Sequence, residues 1–323
     1  MTINLKIIST GSYLPPKILT NFDIEKKVNT NHDWIYTNLG INERRIAIDE
    51  TTSDMGAKAA MKALKIANLI PSDIDLIIVA TSTPDRLSPS TACIIQDKIK
   101  AFNSAAFDIN AVCTGFIYAL KIANSMLNSN SFKNILIIAS EKYSSITDWD
   151  NRNCVFFGDG AGAVIVKKSK DSFFKCDLYA DGRGKENFTV PGIGTEYELK
   201  NDLLENKLHK FVMNGKAVYE TGTRVLPNSI NKILQNNDID IKDISWLIPH
   251  QPSINILKET SKKIGLNFDK VVTVMDKYAN IAGASIPIAL DDINSKNLIF
   301  NGQLILFAAV GSGWTWGSAI LKW

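Results

Sequence analysis

The sequence is poor in several features that point to particular protein classes. It has four cysteines and three histidines in 323 residues. The cysteines, Cys93, Cys113, Cys154 and Cys176, form no CxxC pair, so neither a zinc site nor a disulfide framework is indicated and we interpret each as a free thiol. Basic and acidic residues nearly balance, at 36 Lys+Arg against 33 Asp+Glu. No long Lys/Arg run interleaved with aromatics occurs, so a nucleic-acid partner is not expected.

Long apolar segments are also lacking. No run approaches the roughly 20 residues that a membrane-spanning helix needs, and the N-terminal stretch MTINLKIISTG has no basic segment followed by a long apolar one. We therefore expect a cytoplasmic protein without a membrane partner. With 45% hydrophobic residues and a length that suits about two domains or one large one, the chain can bury an extensive core.

Short apolar runs alternate with longer helical patterns, as buried strands do in an α/β fold. Three segments recur at a nearly constant offset. They are IDLIIVAT at 74–81 with ISWLIPHQ at 244–251, CTGFIYAL at 113–120 with GASIPIAL at 283–290, and NILIIAS at 134–140 with QLILFAA at 303–309. The first two offsets are 170 residues and the third is 169. A duplicated architecture leaves this pattern, and it predicts two halves, residues 1–170 and residues 171–323.

The residues at the ends of the predicted strands are the candidates for function, because equivalent strand ends of two halves converge. Cys113 follows the β-like run Ala105 to Ile109 and precedes an amphipathic helix. A thiol at a helix N-terminus lies near unpaired N–H groups and the positive end of the helix dipole, which favour the thiolate. On position alone, a buried structural cysteine remains the alternative.

His250 and Asn280 stand at comparable places in the second half. His250 follows a predicted strand directly, so it can donate a proton or a hydrogen bond in the cleft, or it can be a capping or core histidine. Asn280 precedes the helix that corresponds to the one after Cys113, where its amide can cap the helix or donate to a substrate carbonyl. The glycines of AAVGSGWTWGSAILKW suit either an oxyanion hole or a tight hairpin.

Taken together, these motifs resemble those of the ketoacyl synthase III family, within the thiolase-like superfamily. The resemblance covers essentially the whole chain. The matching stretches are DWIYTNLGINERRIA, STPDRLSPSTAC, FDINAVCTGFIYAL, FFGDGAGA, PHQPSINIL, DKYANIAGASIPIAL and GSGWTWGSAIL. The resemblance implies a thiolase-like α/β fold, duplicated and arranged in five αβαβα layers. It places the nucleophilic Cys in the N-terminal half and the His and Asn in the C-terminal half, and it implies a homodimer.

The activity implied by this resemblance is that of a 3-oxoacyl-acyl-carrier-protein synthase III, an acyltransferase that initiates fatty-acid synthesis. Cys113 would take the acyl group of an acyl-CoA primer, and the backbone N–H groups of Cys113 and Ser312 would form the oxyanion hole. His250 and Asn280 would stabilise the enolate that forms when malonyl-acyl carrier protein loses CO2. No metal and no other cofactor would be needed.

Around the predicted entrance the sequence departs from the family's pattern. Asn38 and Leu39 replace an Arg-Thr pair, and Asn255 stands where the family commonly has Arg. Loss of a charge-assisted phosphate contact costs roughly 1.5 to 3 kcal/mol, so coenzyme A or the carrier protein is expected to be held differently. Trp34 and Arg152 match the pair that sandwiches the adenine of coenzyme A in the family, so an acyl-CoA primer is still expected.

Further expectations from the resemblance concern the acyl pocket and a surface helix. Ser88 replaces a Phe that lines the family's pocket from the dimer partner, which predicts a roomier pocket, and Val310 replaces a Phe before the Gly-rich turn. The lysines Lys258, Lys262 and Lys263 would present a basic face to the acidic carrier protein. A solvated helix surface explains the same lysines nearly as well.

Two other functions stay open on the sequence alone. A condensing enzyme or acyltransferase of a secondary-metabolite or cofactor pathway would use the same three residues with a different acyl group. A non-catalytic partner subunit of a condensing enzyme is the alternative from another class, and the intact Cys113, His250 and Asn280 count against it. The acyl chain length, the primer preference and the carrier that delivers the primer do not follow from the sequence.

Overall fold

The computed structural model describes residues 4–192, 194–197 and 201–323. Its strands are β1 (Asn4–Tyr13), β2 (Lys17–Thr20), β3 (Glu43–Ile46), β4 (Leu76–Ala80), β5 (Ala105–Ile109), β6 (Asn134–Lys142), β7 (Asp159–Ser169), β8 (Phe174–Ala180), β9 (Phe188–Thr189), β10 (Val212–Met213), β11 (Ile244–Pro249), β12 (Leu304–Gly311) and β13 (Thr315–Lys322). Its α-helices are α1 (Asn21–Ile24), α2 (His32–Leu39), α3 (Thr52–Ala67), α4 (Thr91–Ile99), α5 (Gly115–Asn128), α6 (Asn201–Glu205), α7 (Gly215–Gln235), α8 (Ile254–Ile264), α9 (Met275–Tyr278) and α10 (Ser285–Ser295).

Two sheets with corresponding strand orders form the frame of the molecule. The first sheet has the order β1-β7-β6-β4-β5 and the second the order β8-β13-β12-β11. In the first, β4 is parallel to β5 and β6 while β7 is antiparallel to both its neighbours. In the second, β11 is parallel to β12 and β13 is antiparallel to both its neighbours. A single bridge from Leu247 to Val271 lies where the counterpart of β5 would be.

Helices cover the two sheets and fill the space between them. Helices α3 and α4 pack on the outer face of the first sheet, and α7, with α8 against it, packs on the outer face of the second. Helices α5 and α10 contact strands of both sheets. The chain therefore has five alternating layers of helix and sheet, which confirms the predicted αβαβα class. The division into halves at residue 170 stays a prediction.

The sequence pattern of each element follows from its layer. Strand β4 is buried along its whole length, because helices cover both faces of the sheet and leave no side for polar residues. Helix α8, in an outer layer, is amphipathic: Ile256, Leu257 and Ile264 are buried, and Lys258 and Lys262 are exposed. Among the described helices, none is both long and apolar enough to cross a membrane.

Two short 3₁₀ turns lead into the central helices. Val112–Thr114 precedes α5 and Ala282–Ala284 precedes α10. The two turns contact each other, and the first also contacts the end of β12. The candidate site lies in this region, where the starts of α5 and α10 meet the end of β12.

Candidate active site

The three residues predicted to carry the chemistry line one cavity. Cys113, His250 and Asn280 lie on its wall together with Gly311 and Ser312, and its volume is about 330 Å³. Much of the remaining lining is apolar, from Phe156, Phe157, Phe188, Met213, Val218, Val310 and Trp314. A largely apolar wall with a few convergent polar groups is typical of a small-molecule site.

Cys113 lies in the Val112–Thr114 turn, directly ahead of α5. Val112 has φ 48°, a left-handed conformation that costs a β-branched residue roughly 1–3 kcal/mol. The thiol is almost fully buried. Burial raises the pKa of Cys113, and the charge of Glu141 raises it further. The helix-terminus argument predicted an easily ionised thiol; in the structure burial outweighs the helix terminus.

The Gly-rich turn after β12 lies against the nucleophile turn. A side-chain carbon on Gly311 would stand only 3.0 Å from the Cys113 nitrogen and 3.0 Å from Thr114 Oγ1, so a larger residue would push the two turns apart by a few tenths of an ångström. The hydroxyls of Thr114 and Thr315 hydrogen-bond to each other at 2.6 Å and tie the two turns together. Cys113 and Ser312 both line the cavity as a result, an arrangement that suits an oxyanion hole.

His250 follows β11 and is only 2% exposed. Its backbone N–H donates to the Ala308 carbonyl at 2.8 Å, which extends the parallel pairing of β11 with β12. Burial lowers the pKa of His250 to about 3, with a weaker opposing effect from the Ala282 backbone, so the imidazole is neutral near pH 7. Its Nδ1 atom has no hydrogen-bond partner among the described residues. A neutral imidazole of this kind can donate or accept a hydrogen bond according to its tautomer.

Hydrogen bonds hold the side-chain oxygen and both backbone groups of Asn280. Its Oδ1 accepts a hydrogen bond from the Ala282 N–H at 2.8 Å, which forms an Asx turn rather than a cap on α10. Its backbone N–H donates to the Phe156 carbonyl at 3.1 Å, and its carbonyl accepts from the Gly158 N–H at 3.0 Å. The FFGDGAGA segment thus fixes Asn280, and the side-chain nitrogen has no hydrogen bond within the described part of the chain.

A cluster of aromatic side chains that sequence analysis missed packs beside Cys113. Phe157 lies 4.5 Å from Tyr143 and 5.0 Å from Phe211, ring centroid to ring centroid, and Phe188 stacks on Phe211 at 5.5 Å. All four belong to the same apolar cluster as the thiol. These rings come from four separate segments of the chain, so no local spacing in the sequence could reveal the cluster.

The predicted entrance residues lie at one side of the cavity. The cavity is lined there by Trp34, Asn38, Leu39 and Asn255. The two positions at which the sequence has Asn in place of the expected Arg, Asn38 and Asn255, therefore border the site. The Arg152 guanidinium lies over the Trp34 ring, 4.1 Å from its centroid. The predicted adenine-binding pair is therefore brought together, but in direct contact, so a base can enter between the two side chains only if they separate.

The remaining predicted site residues differ in their placement. Val310 lines the cavity. Ser88 is exposed, and it is not among the described residues that line the cavity of its own chain. The α8 lysines Lys258, Lys262 and Lys263 are all exposed. Lys263 pairs with Glu259 at 3.3 Å and also binds a backbone carbonyl. Within the described residues, His, Cys, Asp and Glu side chains form no group of three or more that could hold a metal ion.

Comparison with known proteins identifies relatives along the whole chain. The family model of the 3-oxoacyl-[acyl-carrier-protein] synthase III matches residues 107–182, and the model of its C-terminal part matches residues 234–323. The beta-ketoacyl-[acyl-carrier-protein] synthase III of Clostridium acetobutylicum is 43% identical, with 99% of each chain covered. The protein of the same name from Caldanaerobacter subterraneus subsp. tengcongensis is 44% identical, with 98% of this chain and 97% of the relative covered.

A solved structure agrees with these relatives. The 3-oxoacyl-[acyl-carrier-protein] synthase III of Aquifex aeolicus VF5 has a TM-score of 0.91 and is 41% identical, with 99% of this chain and 100% of that chain covered. Cys113 falls in the first matched region, and His250, Asn280 and Ser312 fall in the second. The resemblance and the thiolase-like fold class are both confirmed, and this chain belongs to the 3-oxoacyl-[acyl-carrier-protein] synthase III family.

Proposed function

We propose that Cys113, His250 and Asn280 carry the condensing reaction of this family in this chain. The protein is a condensing enzyme of the acyltransferase class, and it initiates fatty-acid synthesis by joining an acyl primer to malonyl-acyl carrier protein. The observation that carries the assignment of residues is the convergence of the three side chains on one cavity. They come from the ends of different elements of the fold.

In the first step the Cys113 sulfur attacks the carbonyl carbon of the acyl thioester. The C–S bond to the acyl carrier breaks as the bond to Cys113 forms, and the thiol proton leaves with the released carrier thiol. The negative oxygen of the tetrahedral intermediate would lie at the backbone N–H groups of Cys113 and Ser312. The close approach of Gly311, where an added side-chain carbon would stand 3.0 Å from the Cys113 nitrogen, supports this placement.

In the second step the malonyl thioester loses CO2, and the electrons of the broken C–C bond pass into an enolate. His250 and Asn280 would donate hydrogen bonds to the enolate oxygen. A neutral imidazole suits this role because it donates through N–H without protonating the enolate, and burial keeps His250 neutral. The enolate carbon then attacks the acyl carbonyl, the bond to Cys113 breaks, and a β-ketoacyl thioester leaves. These steps balance without a metal or redox cofactor.

The substrates proposed for the entrance are an acyl-CoA and the malonyl form of acyl carrier protein. Trp34 and Arg152 would hold the adenine after separating, and Asn38 and Asn255 would contact phosphate as neutral donors. Lys258 and Lys262, exposed and without an ion-pair partner in the described chain, would contact the acidic carrier protein. Lys263 would contribute less because it already pairs with Glu259. We place this reaction in the cytoplasm, where these substrates occur.

A homodimer is part of the same proposal. Strand β5 is an edge strand of the first sheet, and unpaired edges invite pairing with another chain. Leu87, in the segment before α4, is 97% exposed, and Phe107 on β5 is only partly buried, so both present apolar surface. Ser88, next to Leu87, would then reach the partner's cavity and leave it roomier than a phenylalanine would.

The test is intact-protein mass spectrometry after exposure to a panel of acyl-CoAs. We expect an acyl adduct on the wild type and none on Cys113→Ala, whereas Cys176→Ala, which removes a buried thiol elsewhere, keeps the adduct. Acylation of Cys113→Ala, or no adduct on the wild type from any donor, would contradict the proposal. The second result would favour the non-catalytic partner subunit.

The roles of His250 and Asn280 are tested by discharging the adduct. We expect His250→Ala and Asn280→Ala to be acylated but to form β-ketoacyl product about 100- to 1,000-fold more slowly with malonyl-acyl carrier protein, as when one oxyanion donor is removed. Normal product formation by either variant would remove that residue from the mechanism.

A further inference from the structure

Glu141 is a fully buried carboxyl that the proposed mechanism does not use. It lies near the end of β6 and is 0% exposed. Among the described residues no lysine, arginine or histidine pairs with it. A buried carboxylate without a cation is costly, and this one is stabilised by hydrogen bonds to neutral groups.

The groups around its two oxygens are hydroxyls and a backbone N–H. Ser82 donates its N–H at 3.1 Å and its hydroxyl at 3.0 Å, Thr83 donates its hydroxyl at 2.8 Å, and Thr81 lies at 3.5 Å. The Tyr143 hydroxyl shares the Ser82 hydroxyl at 3.1 Å. Burial raises the pKa of Glu141 to about 7 although these hydrogen bonds lower it. Both protonation states therefore occur near neutral pH.

The carboxyl lies where the two functional turns meet. Its Oε1 atom is 3.5 Å from the position of a side-chain carbon on Gly283, and that same position is 2.9 Å from the carbonyl of Val112. Val112 is the residue before the nucleophile. Tyr143, which shares a hydroxyl partner with Glu141, packs in the same apolar cluster as Cys113. A negative charge here acts on the thiol through protein rather than through water, where it would be screened.

The two charged side chains closest to Glu141 along its own and the neighbouring strand, Lys142 and Asp159, are bound to other groups. Lys142 follows Glu141, but its amine binds the carbonyls of Ile48 and Glu50 at 3.2 and 2.7 Å. Asp159, on the neighbouring strand β7, accepts from Ser144 and Ala47. Among the described residues, the titratable groups on which the Glu141 charge acts are Cys113 and Tyr143, and the 81–83 segment and the Ala282–Ala284 turn contribute none.

We propose that Glu141 is a proton-binding positioning residue that sets the reactivity of Cys113: the carboxylate suppresses ionisation of the buried thiol, and the neutral carboxyl does not add to the effect of burial. Loss of the Glu141 proton places a negative charge beside the turn, which disfavours a second negative charge on sulfur. The inference rests on the proposed function for its biological meaning, since it makes acyl transfer to Cys113 slower once the carboxyl ionises. The chemistry of the thiol itself can be tested without any acyl substrate.

The experiment compares wild type with Glu141→Gln, an isosteric side chain that stays neutral. The rate of Cys113 alkylation by iodoacetamide is followed by peptide mass spectrometry from pH 5.5 to 8.5, with exposed Cys93 as an internal reference. We expect the ratio of variant to wild-type rate to be near one at pH 5.5. It should rise to at least about threefold at pH 8.5, since half a pKa unit is a threefold change, with a midpoint near pH 7.

A merely structural role would change the ratio of the two alkylation rates equally at every pH, and that result would overturn the proposal. A ratio that stays at one, or falls below one, would overturn it as well. Asp159→Asn is the matched control, because it also neutralises a buried carboxyl held by hydroxyl and backbone donors. Its ratio should not change with pH. If the proposed function fails, no acyl adduct forms on Cys113, but the alkylation ratio of Glu141→Gln still tests this inference.

A second variant keeps the proposal testable if Glu141→Gln does not fold. Ser82→Ala removes a hydrogen bond that lowers the pKa of Glu141, so the carboxyl should ionise at a higher pH. Alkylation of Cys113 should then be faster in Ser82→Ala than in wild type only between the two pH values at which Glu141 ionises in the two proteins. Below and above that range the two rates should be equal. A ratio of Ser82→Ala to wild type that does not vary with pH would contradict the proposal.

Discussion

Val112 and Ala282 adopt the same left-handed backbone conformation, with φ 48° and 41°, in two turns that contact each other. They are 170 residues apart, the offset of the apolar repeat in the sequence. One turn presents Cys113, and the other follows Asn280, whose amide it holds. Such conformations cost roughly 1–3 kcal/mol each. Their occurrence in both turns at the site indicates that the surrounding layers hold them in place.

The contact between these turns depends on Gly283, and Gly283→Ala tests it. The added methyl would stand 2.9 Å from the Val112 carbonyl, so the turns must move apart. We expect a loss of about 1–3 kcal/mol in the free energy of unfolding, as for overpacked cores, together with slower acylation of Cys113. Urea unfolding and the adduct assay measure the two effects.

The control is Gly182→Ala, where the added carbon meets nothing within 4 Å. Its stability should stay within about 0.5 kcal/mol of wild type, as for ordinary surface substitutions. Equal stability of the two glycine variants would show that the turns tolerate separation.

Burial of His250 should make stability depend on pH. Its folded-state pKa is about 3 against an ordinary value of 6.5, so below pH 6.5 the unfolded chain binds a proton that the folded chain does not. Stability therefore falls as pH falls from 6.5 toward 3. Between pH 7 and pH 5 the wild type should lose about 2 kcal/mol more than His250→Asn.

Urea unfolding of both proteins at pH 7 and pH 5 measures this difference. All other titrating groups are shared and largely cancel in the comparison. A pH dependence that is the same in both proteins would mean that the imidazole protonates in the folded state at its ordinary pKa.

The frame and three site residues could be predicted from the sequence because their signals are local. Buried strands such as β4 and β12 are continuous apolar runs, and Cys113, His250 and Asn280 each stand beside such a run or a predicted helix. The repeat then predicts that the equivalent strand ends lie close together.

What could not be predicted depends on contacts between distant segments. Glu141 is in the sequence an ordinary acidic residue at the end of an apolar run, and its burial depends on the 81–83 segment. The helix that follows Cys113 is visible in the local sequence and favours the thiolate, whereas the burial that raises the thiol pKa comes from distant segments. Likewise the motif match for Trp34 and Arg152 did not reveal that the two side chains stack directly.

That direct stacking leads to a prediction for coenzyme A. If the two side chains separate to hold adenine, Arg152→Ala should raise KM for an acyl-CoA about 2- to 30-fold, the range of a cation–π contact of about 0.5 to 2 kcal/mol. The KM for an acyl-pantetheine thioester, which lacks adenine, should not change. Steady-state kinetics with both donors measures this.

Arg183→Ala is the matched control, since Arg183 is exposed, pairs with Asp181 and is not among the described residues that line the cavity. It should leave both KM values unchanged. An equal rise for both donors in Arg152→Ala would indicate a general disturbance of the entrance and not recognition of the base.

The basic face of α8 gives a prediction for the carrier protein. Lys258 and Lys262 are exposed on the same helix, and the helix also borders the cavity through Asn255 and Ile256. Reversing both charges in Lys258→Glu/Lys262→Glu should raise KM for malonyl-acyl carrier protein about tenfold at low salt, since two exposed charge contacts of up to about 1 kcal/mol each would be reversed. The effect should shrink in about 0.5 M salt, where the screening length is only a few ångströms. The same reversal at Lys65, exposed on α3 in the opposite outer layer, should leave KM unchanged. If Lys65→Glu raises the KM for malonyl-acyl carrier protein as much per reversed charge as the double variant does, the attraction reflects net charge alone and α8 is not the docking surface.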